Sequence, residues 1–364
     1  MNRHKLFSAF TALAVCCFTA CGSTGANDGI QSETISESIT ETTSAVTSET
    51  ESAEPEASPA YDVKTLADGI YSLEFSGDYM LDDYLEANVK TVEELDCWFM
   101  ENLTDGISTE GSTYNMACSS FAVALSDDEH LFGRNYDLRS TDALFIRTAP
   151  EKGYSSIGIV DLAHMNIGCD CEYAIDSAEA QSLLRAAPYC ICDGINEKGL
   201  GVSLLQLDTG HTVNDTDKPD LLLYIALRAL LDKCADADEA AGFLSGYDMY
   251  SPSHYSYHIF ITDKSGRSLV VEWLDGEMTI VEDNAVTNFV LFEAPSTRDP
   301  DGRYFKLRKA LDEGSINTKD DAMELLETVM QKSATRWSAV YDLDGFSVKA
   351  CFNGDYENEY EFEG

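Results

Sequence analysis

Between Gln31 and Ala60, twenty of thirty residues are Ser, Thr or Glu, and none is Lys or Arg. Such a stretch cannot bury enough apolar surface to offset the chain entropy that folding removes. It therefore sets where a folded domain can begin, and residues 22–60 are expected to form a disordered tether. At about 5–6 Å times the square root of the residue number, the tether reaches roughly 30–40 Å, and repulsion among its acids stretches it further.

Residues 1–21 read as an export signal. Arg3, His4 and Lys5 make a charged start, and Leu6 to Ala20 is an apolar run too short to cross a bilayer comfortably. The run stops at Phe18-Thr19-Ala20-Cys21-Gly22. Small residues before a cysteine resemble the lipobox of bacterial lipoproteins, with Cys21 as the lipidated residue. The alternative is an ordinary signal peptide with a stray cysteine. The lipobox reading places the protein on the extracellular face of a bacterial cell envelope, held only by its lipid, since no later segment approaches membrane-spanning length.

Residues 61–364 remain, enough for one large domain. Net charge is −41, from 65 acids against 24 bases. A field of that sign repels nucleic acid and anionic lipid, and so argues against both as partners. It carries no substrate information, and it leaves oligomerisation open.

Glycine-punctuated strands alternate with a few helices. Thr91-Val92-Glu93-Glu94 is a capping box opening a helix through about Glu101. Further helices are expected over Asp220–Lys233, after a proline, and over 238–244, 301–311 and 318–331. Strands are expected over 119–125, 131–132, 201–206, 257–262, 268–273, 277–281, 337–341 and 346–352, with turn signals at Asp263-Lys264-Ser265-Gly266 and Asp275-Gly276. This order suits an α+β arrangement of two packed sheets covered by helices on both sides.

Eight cysteines fall in the folded part. Cys169/Cys171 and Cys190/Cys192 form two C-x-C pairs, a spacing that differs from the C-x2-C of structural zinc. Free thiols or a disulfide between the pairs are the remaining readings, and no metal or other cofactor is expected.

The chemistry centres on Cys118, in Asn115-Met116-Ala117-Cys118-Ser119-Ser120-Phe121. A free thiol has a pKa of about 8.5 and needs a base at neutral pH. If the Ala117–Cys118 bond is cut, Cys118 gains an α-amine with a pKa of about 7.7–8.0, close enough to relay the thiol proton. Arg134 would favour the thiolate, and Asp137 would orient the amine. Both lie in His130-Leu131-Phe132-Gly133-Arg134-Asn135-Tyr136-Asp137, which a hairpin returns beside Cys118. Taken singly, each residue reads equally as core packing or a surface ion pair, and the joint spacing is what points to chemistry.

That joint pattern resembles the choloylglycine hydrolase family of linear amide hydrolases, with isopenicillin N acyltransferase-like and acid ceramidase-like enzymes as relatives. The resemblance runs from Cys118 to about Glu363. It implies a four-layer αββα N-terminal-nucleophile sandwich and an amidase activated by cleavage before Cys118. Cys118, Arg134 and Asp137 match the family's nucleophile, arginine and aspartate. In Asp193-Gly194-Ile195-Asn196-Glu197-Lys198-Gly199-Leu200-Gly201 and the strand after it, the resemblance places Gln206 so that its backbone N–H serves an oxyanion hole. It places the Asn288 side-chain amide as that hole's other donor and Arg303 near the nucleophile, with Arg298 and Arg308 close by as competitors. It also implies that residues 61–117 are a propeptide or small subunit preceding a catalytic domain at 118–364.

Rival readings are a papain-like Cys–His pair using His164, His211, His254 or His258, an acyltransferase working from the same centre, and a non-catalytic binding lipoprotein of the same fold. Cys118 lacks the papain flanking signature. A pure binder has no need of Cys118, Arg134, Asp137 and Asn288 together. The expected partner is a small-molecule N-acyl amide, of a kind the loops around 163–173 and 211–219 do not reveal.

Overall fold

The structure is a computed structural model that describes residues 61–109, 117–138, 140–207, 212–251, 255–292 and 302–364. The export segment, Cys21, the tether, His211, His254 and Arg298 lie outside the described residues. Strands in chain order are β1 (Lys64–Ala67), β2 (Ile70–Phe75), β3 (Ala117–Ser126), β4 (Glu129–Asp137), β5 (Ala143–Thr148), β6 (Ser156–Asp161), β7 (Ile191–Asn196), β8 (Leu200–Leu207), β9 (Asp220–Leu222), β10 (Asp248–Tyr250), β11 (Ser256–Asp263), β12 (Ser268–Leu274), β13 (Glu277–Glu282), β14 (Ala285–Val286), β15 (Thr335–Asp342), β16 (Ser347–Phe352) and β17 (Asp355–Glu363). The α-helices are α1 (Leu81–Glu86), α2 (Val92–Asn102), α3 (Ala178–Leu183), α4 (Leu223–Lys233), α5 (Ala237–Leu244), α6 (Arg303–Asp312) and α7 (Lys319–Val329).

Nine strands form one sheet in the order β1-β2-β5-β6-β7-β8-β11-β12-β13, and six form another, β14-β3-β4-β15-β16-β17. The β2–β5 pairing is parallel, whereas the other neighbours within both sheets run antiparallel. Helices α4 and α5 cover the large sheet and α6 and α7 the small one, while β3 meets β8 between the sheets. The result is the expected αββα sandwich. Its central strands are buried on both faces, and β8 and β11 are buried at every residue.

The turn signals hold for physical reasons. Asp275 and Gly276 both have positive φ, at 50° and 80°, the pairing a two-residue hairpin turn needs to match strand twist. Gly133 is required by packing instead, because a Cβ there would lie 2.2 Å from a Phe121 ring carbon on the facing strand.

Two expectations need correction, and three strands went unread. Asp220–Leu222, expected as the first turn of a helix, are strand β9, paired in parallel with β10, and α4 starts only at Leu223. Strand β4 continues to Asp137 rather than ending at Phe132, because Arg134, Asn135 and Asp137 break the apolar pattern yet are buried and partnered. Strands β5, β6 and β7 carry no sequence alternation, since strands covered on both faces need none. The capping box at Thr91 forms with a shift. Thr91 Oγ1 accepts from the Glu94 N–H at 3.1 Å, and the Glu94 carboxylate accepts from the Lys90 N–H rather than from that of Thr91.

The segment before Cys118 is part of this architecture. Strand β2 extends the large sheet, and Tyr84, Trp98 and Phe99 pack their rings around Tyr189, with centroids 5.3–6.1 Å from it. Tyr79 donates to Asp232 at 2.5 Å, and Tyr189 donates to the Tyr79 carbonyl at 2.6 Å. No helix among the described residues is long and apolar enough to cross a membrane.

Candidate active site

Ladder register builds the first half of the site. Cys118 lies opposite Tyr136, Ser120 opposite Arg134, and Ala117 opposite Asp137. Because side chains alternate between faces, Cys118 and Arg134 share the face turned toward the large sheet, and Asp137 projects from the other. Ser120 Oγ meets Ser203 Oγ of β8 at 2.9 Å across the sheets.

Arg134 is fully buried and spans the gap. Its Nη2 donates to the Leu204 carbonyl at 2.8 Å, and its Nε lies 3.4 Å from Asp193 Oδ2. Asp193 also accepts from Trp337 Nε1 at 3.0 Å and Tyr341 OH at 2.5 Å. Trp337 in turn stacks on Tyr136 at 3.9 Å. A buried carboxylate with three donors thus anchors a buried guanidinium, the form in which a charge survives inside a protein.

The second half comes from far along the chain. The Cys118 N–H donates to Asn288 Oδ1 at 2.5 Å, and Asn288 Nδ2 donates to the Gln206 carbonyl at 2.7 Å. Arg303 stands at the first position of α6, after Gly302 at φ 74°. Its Nη1 donates to the Cys118 carbonyl and to Asp137 Oδ2, both at 3.1 Å, and its Nη2 to Asn288 Oδ1 at 3.0 Å. Asp137 also accepts from Gln331 Nε2 at 3.1 Å and Thr335 Oγ1 at 2.5 Å. Both polar groups of the Cys118 backbone are therefore gripped by side chains.

Electrostatics follow from this packing. Burial pushes the Cys118 thiol up, Arg134 pulls it back, Asp137 adds to the rise, and the Asp137 N–H and Arg303 oppose it. Burial also raises the Asp137 carboxyl to about 6, against the lowering effects of Thr335, Arg303, Arg134 and Gln331.

All six residues singled out in the sequence come together here. Gln206 enters through its carbonyl, which holds the Asn288 amide. Arg303 touches three of the others, and its competitor Arg308 turns away to Asp283, Asn284 and Asp312. Sequence reasoning missed Asp193, Gln331, Thr335, Trp337 and Tyr341 as members of the site. The signal lies in β15, where Trp337 and Tyr341 share one face and Thr335, across a register shift, pairs with Asp137, and it is legible only once that strand's pairing with β4 is known. His164 and His258 sit beside Asp161 and Glu272. The eight cysteines of the folded part carry free thiols, so the disulfide between the two C-x-C pairs is not formed. Among the described residues, no group of three or more His, Cys, Asp or Glu is arranged to hold a metal ion.

Residues 118–294 match the model of the linear amide C–N hydrolases, choloylglycine hydrolase family. Among the solved structures that the chain resembles are these two. A mutant conjugated bile acid hydrolase from Clostridium perfringens shares 16% identity at a TM-score of 0.50, over 68% of this chain and 92% of that one. Penicillin V acylase from Agrobacterium tumefaciens shares 17% identity at a TM-score of 0.47, over 68% of this chain and 86% of that one.

Proposed function

We propose that this chain is a linear amide C–N hydrolase of the choloylglycine hydrolase family, whose model matches residues 118–294, and that Cys118 is its nucleophile, unmasked by cleavage of the Ala117–Cys118 bond. The observation that carries the proposal is the grip on Cys118. Its amide nitrogen is held by Asn288 and its carbonyl by Arg303, within reach of its own thiol. That the family match starts at Cys118 adds support.

In the cut, the Cys118 sulfur attacks the Ala117 carbonyl carbon. The C–N bond breaks, the nitrogen takes the thiol proton, and water resolves the thioester into an Ala117 carboxylate and a free Cys118 amine and thiol. In turnover, the α-amine takes the thiol proton and the thiolate attacks the substrate amide carbonyl. Asn288 Nδ2 spends one hydrogen on the Gln206 carbonyl and keeps a second for the oxyanion, alongside the Gln206 N–H. The ammonium then protonates the leaving nitrogen. Water, deprotonated by the amine, releases the acyl group as a carboxylic acid and restores the thiol. Arg134 stabilises the thiolate, while Asp137 and Arg303 orient the amine.

Residues 61–109 stay as a small subunit, because their strands and rings are built into the large sheet and its cover. Cys21 carries the lipid, the tether stands the enzyme off an envelope surface, and the substrate is a small N-acyl amide. Intact mass decides the central claim. Wild type is expected as two co-purifying pieces with amidase activity, and Cys118→Ala as one inactive piece. A wild-type chain that turns over amides while uncut would overturn it. Replacing Cys21 with Ala is expected to release the enzyme into the medium.

A further inference from the structure

Asn288 hangs in a short sling. Upstream, β14 (Ala285–Val286) pairs with Phe121 and Ser120 of β3 in the small sheet. Downstream, the chain is caught by Glu272 of β12 in the large sheet. Glu272 Oε1 accepts the Leu291 N–H at 2.8 Å, and Oε2 accepts the Phe292 N–H at 3.1 Å. Opposite Glu272 in the ladder is His258, whose Nδ1 lies 3.1 Å from Oε1. Both side chains are fully buried. Burial pushes the Glu272 carboxyl up, but His258 and the two N–H groups outweigh it, so the group lies below its ordinary range and is a carboxylate. Among the described residues, His258 Nε2 is buried without a hydrogen-bond partner, and the side chain's one hydrogen bond is to Glu272.

A buried carboxylate is a costly way to hold two loop amides, which neutral oxygens can also satisfy. What the charge adds is stiffness, through two charge-assisted bonds to successive N–H groups. The anchored residues begin three positions after Asn288, whose own bonds to Cys118 and Gln206 tolerate little displacement.

We propose that Glu272, oriented by His258, is a positioning residue that sets the Asn288 carboxamide over Cys118. It touches neither substrate nor nucleophile. The proposal rests on Asn288 serving as donor in the cut and in turnover. Glu272→Gln keeps the shape, but its NH2 group faces one of the two N–H donors, so one anchor is lost.

The test is a double-mutant cycle on the full chain with Asn288→Ala, Glu272→Gln and the pair, reading the rate of cleavage before Cys118 and kcat. Asn288→Ala alone is expected to cost about 10²–10³ in kcat. Glu272→Gln alone is expected to cost roughly ten- to hundredfold in both rates, with KM within about threefold, and to cost almost nothing on top of Asn288→Ala. Alkylation of Cys118 by iodoacetamide should keep its rate and pH profile, because Arg134 and Asp137 are untouched. Additive losses, an unchanged kcat, or a shifted alkylation profile would overturn the proposal. Full activity in Asn288→Ala would instead sink the donor reading, and this inference with it. If Glu272→Gln does not fold, His258→Asn, which leaves the carboxylate in place, is expected to show the same non-additive pattern with a roughly threefold to tenfold loss. Additivity there overturns the proposal equally.

Discussion

The two halves of the site are held in different ways. Cys118, Arg134 and Asp137 sit on one hairpin, where every position is fixed by the β3–β4 ladder and by Phe121 packed against Gly133. Asn288 and Arg303 sit on a sling and at a helix start, fixed by a two-residue strand and by side-chain bonds. The hairpin half sets charge and cannot shift without breaking a sheet. The hanging half sets hydrogen-bond direction and rests on a handful of contacts. On the proposed mechanism, in which the chain first presents its own peptide bond and later a foreign amide to one sulfur, rigid charges and adjustable donors suit the two tasks.

Arg303 is where that division breaks most visibly. Arg303→Lys is expected to slow both the cut and turnover by about 10²–10³-fold, since one ammonium cannot reach the Cys118 carbonyl, Asp137 and Asn288 as a planar fork does. Intact-mass time courses and kcat check this, and a near-normal variant would place Arg303 outside the site. Arg134→Lys touches only the hairpin half. It is expected to raise the Cys118 thiol further and slow iodoacetamide labelling about tenfold at neutral pH.

Asp137 sharpens the contrast through pH. Its carboxyl is raised to about 6, so below that pH it is increasingly neutral and loses its hold on Arg303. Expected is a fall in kcat/KM of about tenfold per pH unit below about 6. Stability should move the other way. A raised carboxyl stabilises the fold fully below its unfolded value and loses that contribution as pH rises through about 6. The difference in melting temperature between wild type and Asp137→Asn, followed from pH 4 to 7, reads this out. The smallest effect belongs to the small-subunit contact. Tyr79→Phe removes the bond to Asp232 and is expected to cost about 1–3 kcal/mol in urea unfolding of the cut enzyme, with kcat unchanged.

Legibility in the sequence follows the same line. Cys118, Arg134 and Asp137 could be read because a hairpin converts their spacing into proximity. Asn288 and Arg303 were reached only through family resemblance, since nothing local distinguishes Arg303 from Arg308. Asp193, Glu272, Gln331 and Thr335 were silent. Each is a common polar residue whose role exists only across the sheets or against a distant strand, and no short-range pattern encodes that. The two-sheet architecture was readable from turns and apolar runs. Strands β5 to β7 were not, because burial on both faces erases alternation, and β9 was absorbed into the helix that follows it.

Strand β2 pairs in parallel with β5, and the two lie on either side of the proposed cleavage point before Cys118. If the bond before Cys118 breaks only after folding, the two products are born already embraced. Their one-to-one ratio then needs no encounter in solution, dilution gives no advantage to strangers, and the partnership depends on how slowly it comes apart.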